Sequence, residues 1–190
     1  MLTTHLARTV KSGIAALALG TALAAPAFAF ERDAALDRAS QATLARCQHR
    51  FTSCARTTQD AVGILVFPEV VKADLIFGGS GGRGELIENG QVTGYYSIGA
   101  ASAGLQIGID KASQVYVFHN PHSLAELKSG QDWKVGAAGD VTVIKDNTEA
   151  RTTSAGDVLA YVFNSKGLDA GVSLDVFDVW KTGSARPHSD

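Results

Sequence analysis

The chain has 190 residues, of which 45% are hydrophobic, 19% charged and 7% aromatic, with a formal charge of −2. That length suits one domain, the apolar content excludes disorder along the whole chain, and the near-neutral charge excludes a nucleic-acid binder built on a dominant basic surface. The 20 glycines exceed the usual share of about 7% without any collagen-like period, so each cluster needs a local explanation.

The first thirty residues read differently from the rest. Arg8 and Lys11 precede an apolar stretch over residues 14–25, and Ala27-Phe28-Ala29 follows with small residues flanking the phenylalanine. This pattern predicts a secretory signal peptide over residues 1–29 and a mature chain that starts near Phe30, periplasmic or secreted. The apolar stretch is shorter than the roughly 20 residues of a membrane-spanning helix. No cysteine stands at the cleavage point for lipid attachment, and the twin-arginine signal is absent. Removing the leader also removes Arg8 and Lys11, which makes the remaining chain more acidic.

Residues 33–46 are mostly alanine, leucine and charged, with no glycine or proline, and predict a helix. Its apolar face is mostly alanine, which favours packing on the sheet over insertion into a bilayer. Cys47 and Cys54 come next. Export favours joining them, but on one unbroken helix they would lie about 10 Å apart, beyond the roughly 7 Å that a disulfide spans. Either the helix breaks between them or they stay reduced. The intervening residues are poor helix formers, with Thr52 or Ser53 available to cap a second helix, so the disulfide is favoured. A metal site on Cys47, His49 and Cys54 lacks a fourth ligand.

Beyond Asp60 the pattern becomes strand-like. Apolar runs are expected over 61–67, stopped by Pro68, and over 73–77. Residues 85–88 and 92–97 flank Asn89-Gly90, a hairpin signal because both residues tolerate positive φ. Further runs cover 103–109 and 114–119. One helix interrupts, capped by Asn120, with Pro121 in its first turn and Gly130 just beyond its end. Strand-like runs resume at 133–135, 141–145, 157–163 and 171–179, and a polar tail covers 183–190. The fold class this implies is α+β, mainly β, over a single domain of residues 30–182. Its expected form is a curled antiparallel sheet or small barrel-like sandwich with N-terminal helices and one inserted helix. Gly99, Gly104, Gly108, Gly136 and Gly139 fall inside strand patterns, where glycine marks bends and close backbone approach.

Few side chains suggest chemistry. Gly78-Gly79-Ser80-Gly81-Gly82 matches the G-x-S-x-G of serine hydrolases, but that elbow must open a helix and this one runs into a hairpin. The glycines are read instead as a tight strand-to-strand turn. No Gly-Lys-Ser/Thr follows to make a nucleotide loop. His119 and His122 straddle Asn120-Pro121 without companion ligands and read as surface histidines. The remaining lysines and arginines are scattered, and no carboxylate pair stands out by spacing. Neither a metal nor a cofactor is implied.

Taken in order, Gly63-Ile64-Leu65-Val66-Phe67-Pro68, Lys72, Gly78-Gly79 and Gly84 resemble the opening of a SYLF domain. Gly94-Tyr95-Tyr96-Ser97, Gly104-Leu105-Gln106-Ile107-Gly108, Trp133-Lys134-Val135-Gly136 and the run Lys166-Gly167-Leu168-Asp169-Ala170-Gly171-Val172-Ser173-Leu174 continue it. The resemblance spans about residues 36–182. Tyr95-Tyr96-Ser97 stands where eukaryotic members carry Trp-Ser, Asp175 stands where many carry glycine, and the cysteine pair is not a family feature. The resemblance implies a lipid-binding protein rather than an enzyme. Eukaryotic members bind phosphoinositides and some bind actin, whereas bacterial relatives are exported. For an exported chain the implied ligand is an anionic phospholipid or membrane surface, with actin an unsuitable partner. Lys72 and Arg83, the cations nearest the glycine-rich motifs, are the candidates for head-group contact. Competing readings are a small hydrolase using Ser80 and a structural envelope protein without a small ligand.

Overall fold

The computed structural model describes residues 32–74, 78–102, 108–130, 133–135, 141–145, 148–150, 157–163 and 177–182. All of them lie in one compact unit, residues 32–190. The predicted leader, the polar tail, Gly104, Gly136, Gly139 and the run 166–174 lie outside the described residues.

Helix α1 spans Ala34–Arg50 and α2 spans Thr52–Thr57. Asp33 caps α1 by accepting a hydrogen bond from the Leu36 amide at 3.0 Å, satisfying one of the N–H groups that a helix start leaves open. Between the helices Phe51 is extended, with φ −116° and ψ 113°. This break brings the Cα atoms of Cys47 and Cys54 to 6.0 Å, and the two form a disulfide. The cap expected from Thr52 or Ser53 is absent: the N-cap residue of α2 is Phe51, with no side-chain hydrogen bond.

The described strands are β1 (Gly63–Asp74), β2 (Gly78–Glu88), β3 (Gln91–Ser102), β4 (Gly108–Phe118), β5 (Trp133–Val135), β6 (Val141–Lys145), β7 (Thr148–Ala150), β8 (Val158–Phe163) and β9 (Phe177–Lys181). Helix α3, Pro121–Lys128, sits between β4 and β5. The strands form one sheet in the order β5-β9-β3-β2-β1-β4-β8-β6-β7, curled into a half-barrel. The mainly β class read from the sequence is what the fold shows. Every pair is antiparallel except β6 with β8, which is parallel. A purely antiparallel sheet is thus corrected to a mixed one: β8 pairs between β4 and β6, and this long-range choice leaves no turn signature.

Two local expectations change. Pro68 does not stop the first strand, because β1 continues to Asp74 and pairs on both sides. Register shifts between Val66 and Glu69 on the β2 side, and between Phe67 and Val70 on the β4 side, place Pro68 in a bulge. A bulge is where a central strand accommodates a residue that cannot donate. The Ser113 hydroxyl donates to the Pro68 carbonyl at 2.8 Å. The glycine run 78–82 is not a turn but the first half of β2, paired with β1 and β3. The bulge crowds β2: a Cβ at Gly82 would lie 2.5 Å from the Glu69 carbonyl oxygen, and one at Gly84 would strike the Val66 carbonyl oxygen and the Phe67 ring. Pro68 and the glycines opposite it therefore explain each other.

The hairpin between β2 and β3 turns on Asn89 (φ 50°) and Gly90 (φ 74°), as a two-residue turn with both residues left-handed requires. Asn120 caps α3 by accepting from the His122 amide at 2.8 Å. One face of the sheet packs Leu65, Phe67, Tyr116, Phe118, Ile98 and Val179 with Leu124 and Leu127 of α3. The other packs Val66, Val115, Val117, Tyr161 and Phe163 against Cys47, Phe51 and Cys54. The Thr57 and Tyr161 hydroxyls lie 3.0 Å apart and tie α2 to β8.

Candidate functional site

The outer surface of the helical layer carries an unbalanced charge. Between Ala34 and Thr57 the basic residues are Arg38, Arg46, His49, Arg50 and Arg56, and the only acid is Asp37. Asp37 is buried, whereas Arg38, Arg46, His49 and Arg56 are exposed. At 100° per residue Arg38, Arg46 and His49 share one side of α1, opposite Asp37, Ser40 and Cys47. Arg38 donates to the Ala34 carbonyl and Arg46 to the Thr43 hydroxyl, so among the described residues neither is bound to a carboxylate. Arg50 stacks 5.6 Å from the centre of the Phe51 ring. Ala35, Ala39, Ala42 and Ala45 are exposed beside these cations. The face expected to pack on the sheet is thus turned outward.

The face that packs on the sheet is largely polar, with Cys47 and Leu44 as its apolar contribution. Its buried residues are Asp37, Ser40, Thr43 and Cys47. The Asp37 carboxylate accepts from Arg32 at 2.8 Å and from the Tyr95 hydroxyl at 2.7 Å. The Tyr95 oxygen in turn accepts from the Asp33 amide at 2.6 Å. Glu85 lies opposite Tyr95 in the β2–β3 ladder and is fully buried. Burial first, then the hydrogen bond and negative charge of Asp37, push the Glu85 carboxyl up to about 8. Burial works in the same direction on Asp37, but the hydrogen bonds from Tyr95, Arg32 and Glu85 outweigh it and hold Asp37 below the usual carboxylate range. The signal for this stripe is present in the sequence as polar residues spaced three and three apart (Asp37, Ser40, Thr43). Hydrophobic periodicity passes over it.

The sequence-predicted site residues are dispersed. Arg83 reaches Asp33, the cap of α1, at 3.1 Å, and is more than half exposed. Lys72 pairs in register with Ser80 and with Asp110, three steps along the β1–β2 ladder from the Glu69–Arg83 pair. Ser80 lies inside β2 opposite Lys72 and Ala100, not at a strand-to-helix elbow. His119 is exposed beyond the end of β4, and His122 faces Glu126 at 3.2 Å on the surface of α3. Among the described residues no cluster of three His, Cys, Asp or Glu side chains is placed to hold a metal ion, and no helix is long and apolar enough to cross a membrane. We expect Ser80→Ala to leave the thermal midpoint within about 2 °C of wild type, since Ser80 is only partly buried and the change removes a single hydroxyl. Loss in that variant of an ester-hydrolysing activity present in the wild type would contradict this assignment.

A curled, mainly β sheet domain with a basic helical layer on one face, and no hydrolase elbow at its G-x-S-x-G run, defines the class. Residues 99–185 match the Ysc84 family, described as Las17-binding protein actin regulator, and the SYLF resemblance read from the sequence is thereby supported. No curated protein gives a significant match to the chain. The matched segment runs from the last four residues of β3 through β9. The helical layer and the Asp37–Glu85–Tyr95 cluster precede it.

Proposed function

We propose that this protein is an exported, non-enzymatic SYLF-type lipid-binding protein that attaches to anionic phospholipid at the cell envelope. The observation that supports this reading most is the acid-free outer face of α1 and α2, with Arg38, Arg46, His49 and Arg56 exposed on an otherwise acidic chain. Cations near an anionic surface contribute about 1 kcal/mol each and act within a Debye length. Small alanines between the arginines let the helix lie close to the surface. Lys72 and Arg83 are proposed as further head-group contacts from the sheet, with Arg83 shared with Asp33. The proposed export rests on the leader pattern of residues 1–29. Because the reading includes export, the actin regulation in the family description is not carried over.

The test is vesicle co-sedimentation at low salt. Wild-type protein should pellet with vesicles of phosphatidylcholine and phosphatidylglycerol, and not with phosphatidylcholine alone. Arg38→Glu/Arg46→Glu/Arg56→Glu should weaken binding at least about tenfold, since reversing three charges removes several kcal/mol of attraction. Lys72→Glu/Arg83→Glu should weaken it less, and should also loosen the start of α1 by setting a glutamate beside Asp33. Failure to bind either vesicle would favour a structural envelope role and end the lipid reading. A larger loss in the Lys72/Arg83 variant than in the arginine variant would move the contact surface to the sheet.

A further inference from the structure

The fully buried Glu85 poses a problem that the membrane reading leaves untouched. Among the described residues neither of its carboxyl oxygens receives a hydrogen bond, and a buried carboxylate without donors carries a large desolvation penalty. Its cross-strand partner Tyr95 donates to Asp37 at 2.7 Å, which brings the Asp37 carboxyl over the same buried patch as Glu85. Asp37 already accepts from the Arg32 guanidinium and the Tyr95 hydroxyl, so it is the member of the pair that stays ionised. Two facing carboxylates repel, whereas one carboxylate and one carboxylic acid share a strong, charge-assisted hydrogen bond. The arrangement is consistent in only one protonation state, with the proton on Glu85.

We propose that Glu85 is held as a neutral carboxylic acid that donates to Asp37 and so latches the first turns of α1 to the sheet, a contact that tightens in acid and loosens as the proton leaves. Among the described residues the groups around the pair are few, and the buried Ser40 hydroxyl on the same face of α1 is uncharged. The segment leading into α1 brings Arg32 and Asp33, α1 itself brings Asp37, and β3 brings Tyr95. Arg83, on the same strand as Glu85, is engaged by Asp33, and β1 presents the apolar Val66 opposite Glu85. Arg32 is the only one of these that favours ionised Glu85, and burial with the two aspartates outweighs it.

The pH window follows from the two states of the helix. When α1 is docked, Glu85 keeps its proton up to about 8; when α1 lifts, the exposed carboxyl returns to its ordinary value of 4.5. The latch is therefore fully engaged below the lower value and weakens as pH rises toward the upper one. Above that it weakens no further, because both states are then ionised. Linkage of one proton makes opening of α1 about tenfold more frequent per pH unit between those limits. Asp37, whose docked carboxyl is held low, acts in the opposite sense and only in stronger acid. This inference does not depend on lipid binding.

Amide hydrogen exchange of the full chain tests it, with intrinsic rates corrected and the β4 amides as the reference for global unfolding. In wild type, protection of the first two turns of α1 relative to β4 should fall by up to about tenfold per pH unit from pH 5 to 8. In Glu85→Gln that slope should vanish, because the amide donates to Asp37 at every pH. The same slope in the glutamine variant, or no slope in wild type, overturns the latch. Should Glu85→Gln not fold, the carboxyl carbon resonance of Glu85 in wild type decides alone. A titration midpoint above about 6.5 supports the latch, and one below it, toward the ordinary carboxylate value, overturns it.

Discussion

Gly84→Ala is expected to destabilise the domain by about 3 kcal/mol, a fall of roughly 10 °C in thermal midpoint for a chain of this size. The added methyl would strike the Val66 carbonyl oxygen and lie 2.5 Å from the Phe67 ring. Neither neighbour can yield cheaply. The carbonyl belongs to the bulged central strand, and Phe67 is fully buried among the core aromatics, 6.1 Å from Tyr116. Gly81→Ala is the matched control, since a Cβ there meets only the Ile98 carbonyl oxygen at an ordinary 3.6 Å. It should be neutral or mildly stabilising, because alanine loses less backbone freedom than glycine on folding. Thermal melts of the two variants check this directly. Equal midpoints would show that the bulge at Pro68 relaxes away from β2.

Removal of the Cys47–Cys54 disulfide is the second large effect expected. Cross-linking so short a loop contributes about 2–3 kcal/mol on the chain-entropy model. Both residues are also fully buried, in the cluster that joins the helical layer to Val66, Tyr161 and Phe163. Cys47→Ala/Cys54→Ala should therefore lower the thermal midpoint by about 8 °C. Reduced wild type should fall similarly, and oxidised wild type unfolded without reductant should show no free thiol. A midpoint unchanged by reductant would mean that Phe51, packed 5.5 Å from Tyr161 and 5.8 Å from Phe163, fixes the helical corner unaided. Because the basic face of α1 and α2 is built on this corner, the same variant also asks whether the surface proposed to meet lipid must be held rigid.

Local grammar made much of this architecture legible. The Asn89-Gly90 hairpin and the Asn120-Pro121 start of α3 are each decided by one or two residues whose backbone preferences or capping atoms act within a turn. Distance left two readings for Cys47 and Cys54, a broken helix or free thiols, and the poor helix formers between them together with the expected export favoured the break that the structure shows. What failed were the places where a non-local partner overrides a local preference. Pro68 stops a strand in isolation, but in this sheet a bulge shared with both neighbours absorbs it. Residues 78–82 resemble a turn in sequence, yet β2 is crowded so closely by the bulge that only glycine fits at Gly82 and Gly84.

The candidate surfaces divide in the same way. From the residues themselves came the mainly β class, the leader pattern and the SYLF resemblance, but the basic layer went unnoticed among cations read as scattered, although one acid stands among five basic residues between Ala34 and Thr57. Which side of α1 faces water was decided only in three dimensions. Alanine is small enough to be tolerated on either face, so its periodicity carried no direction. The sheet offered Glu85 and Tyr95 beneath the helix, and Asp37, with Arg32 beside it, accepts from the Tyr95 hydroxyl there. The acid was drawn inward and the arginines were left outside. Hydrogen bonding at the start of α1, together with the packing of Leu44 and Cys47 on the sheet further along, set the orientation of the face that we propose meets the membrane.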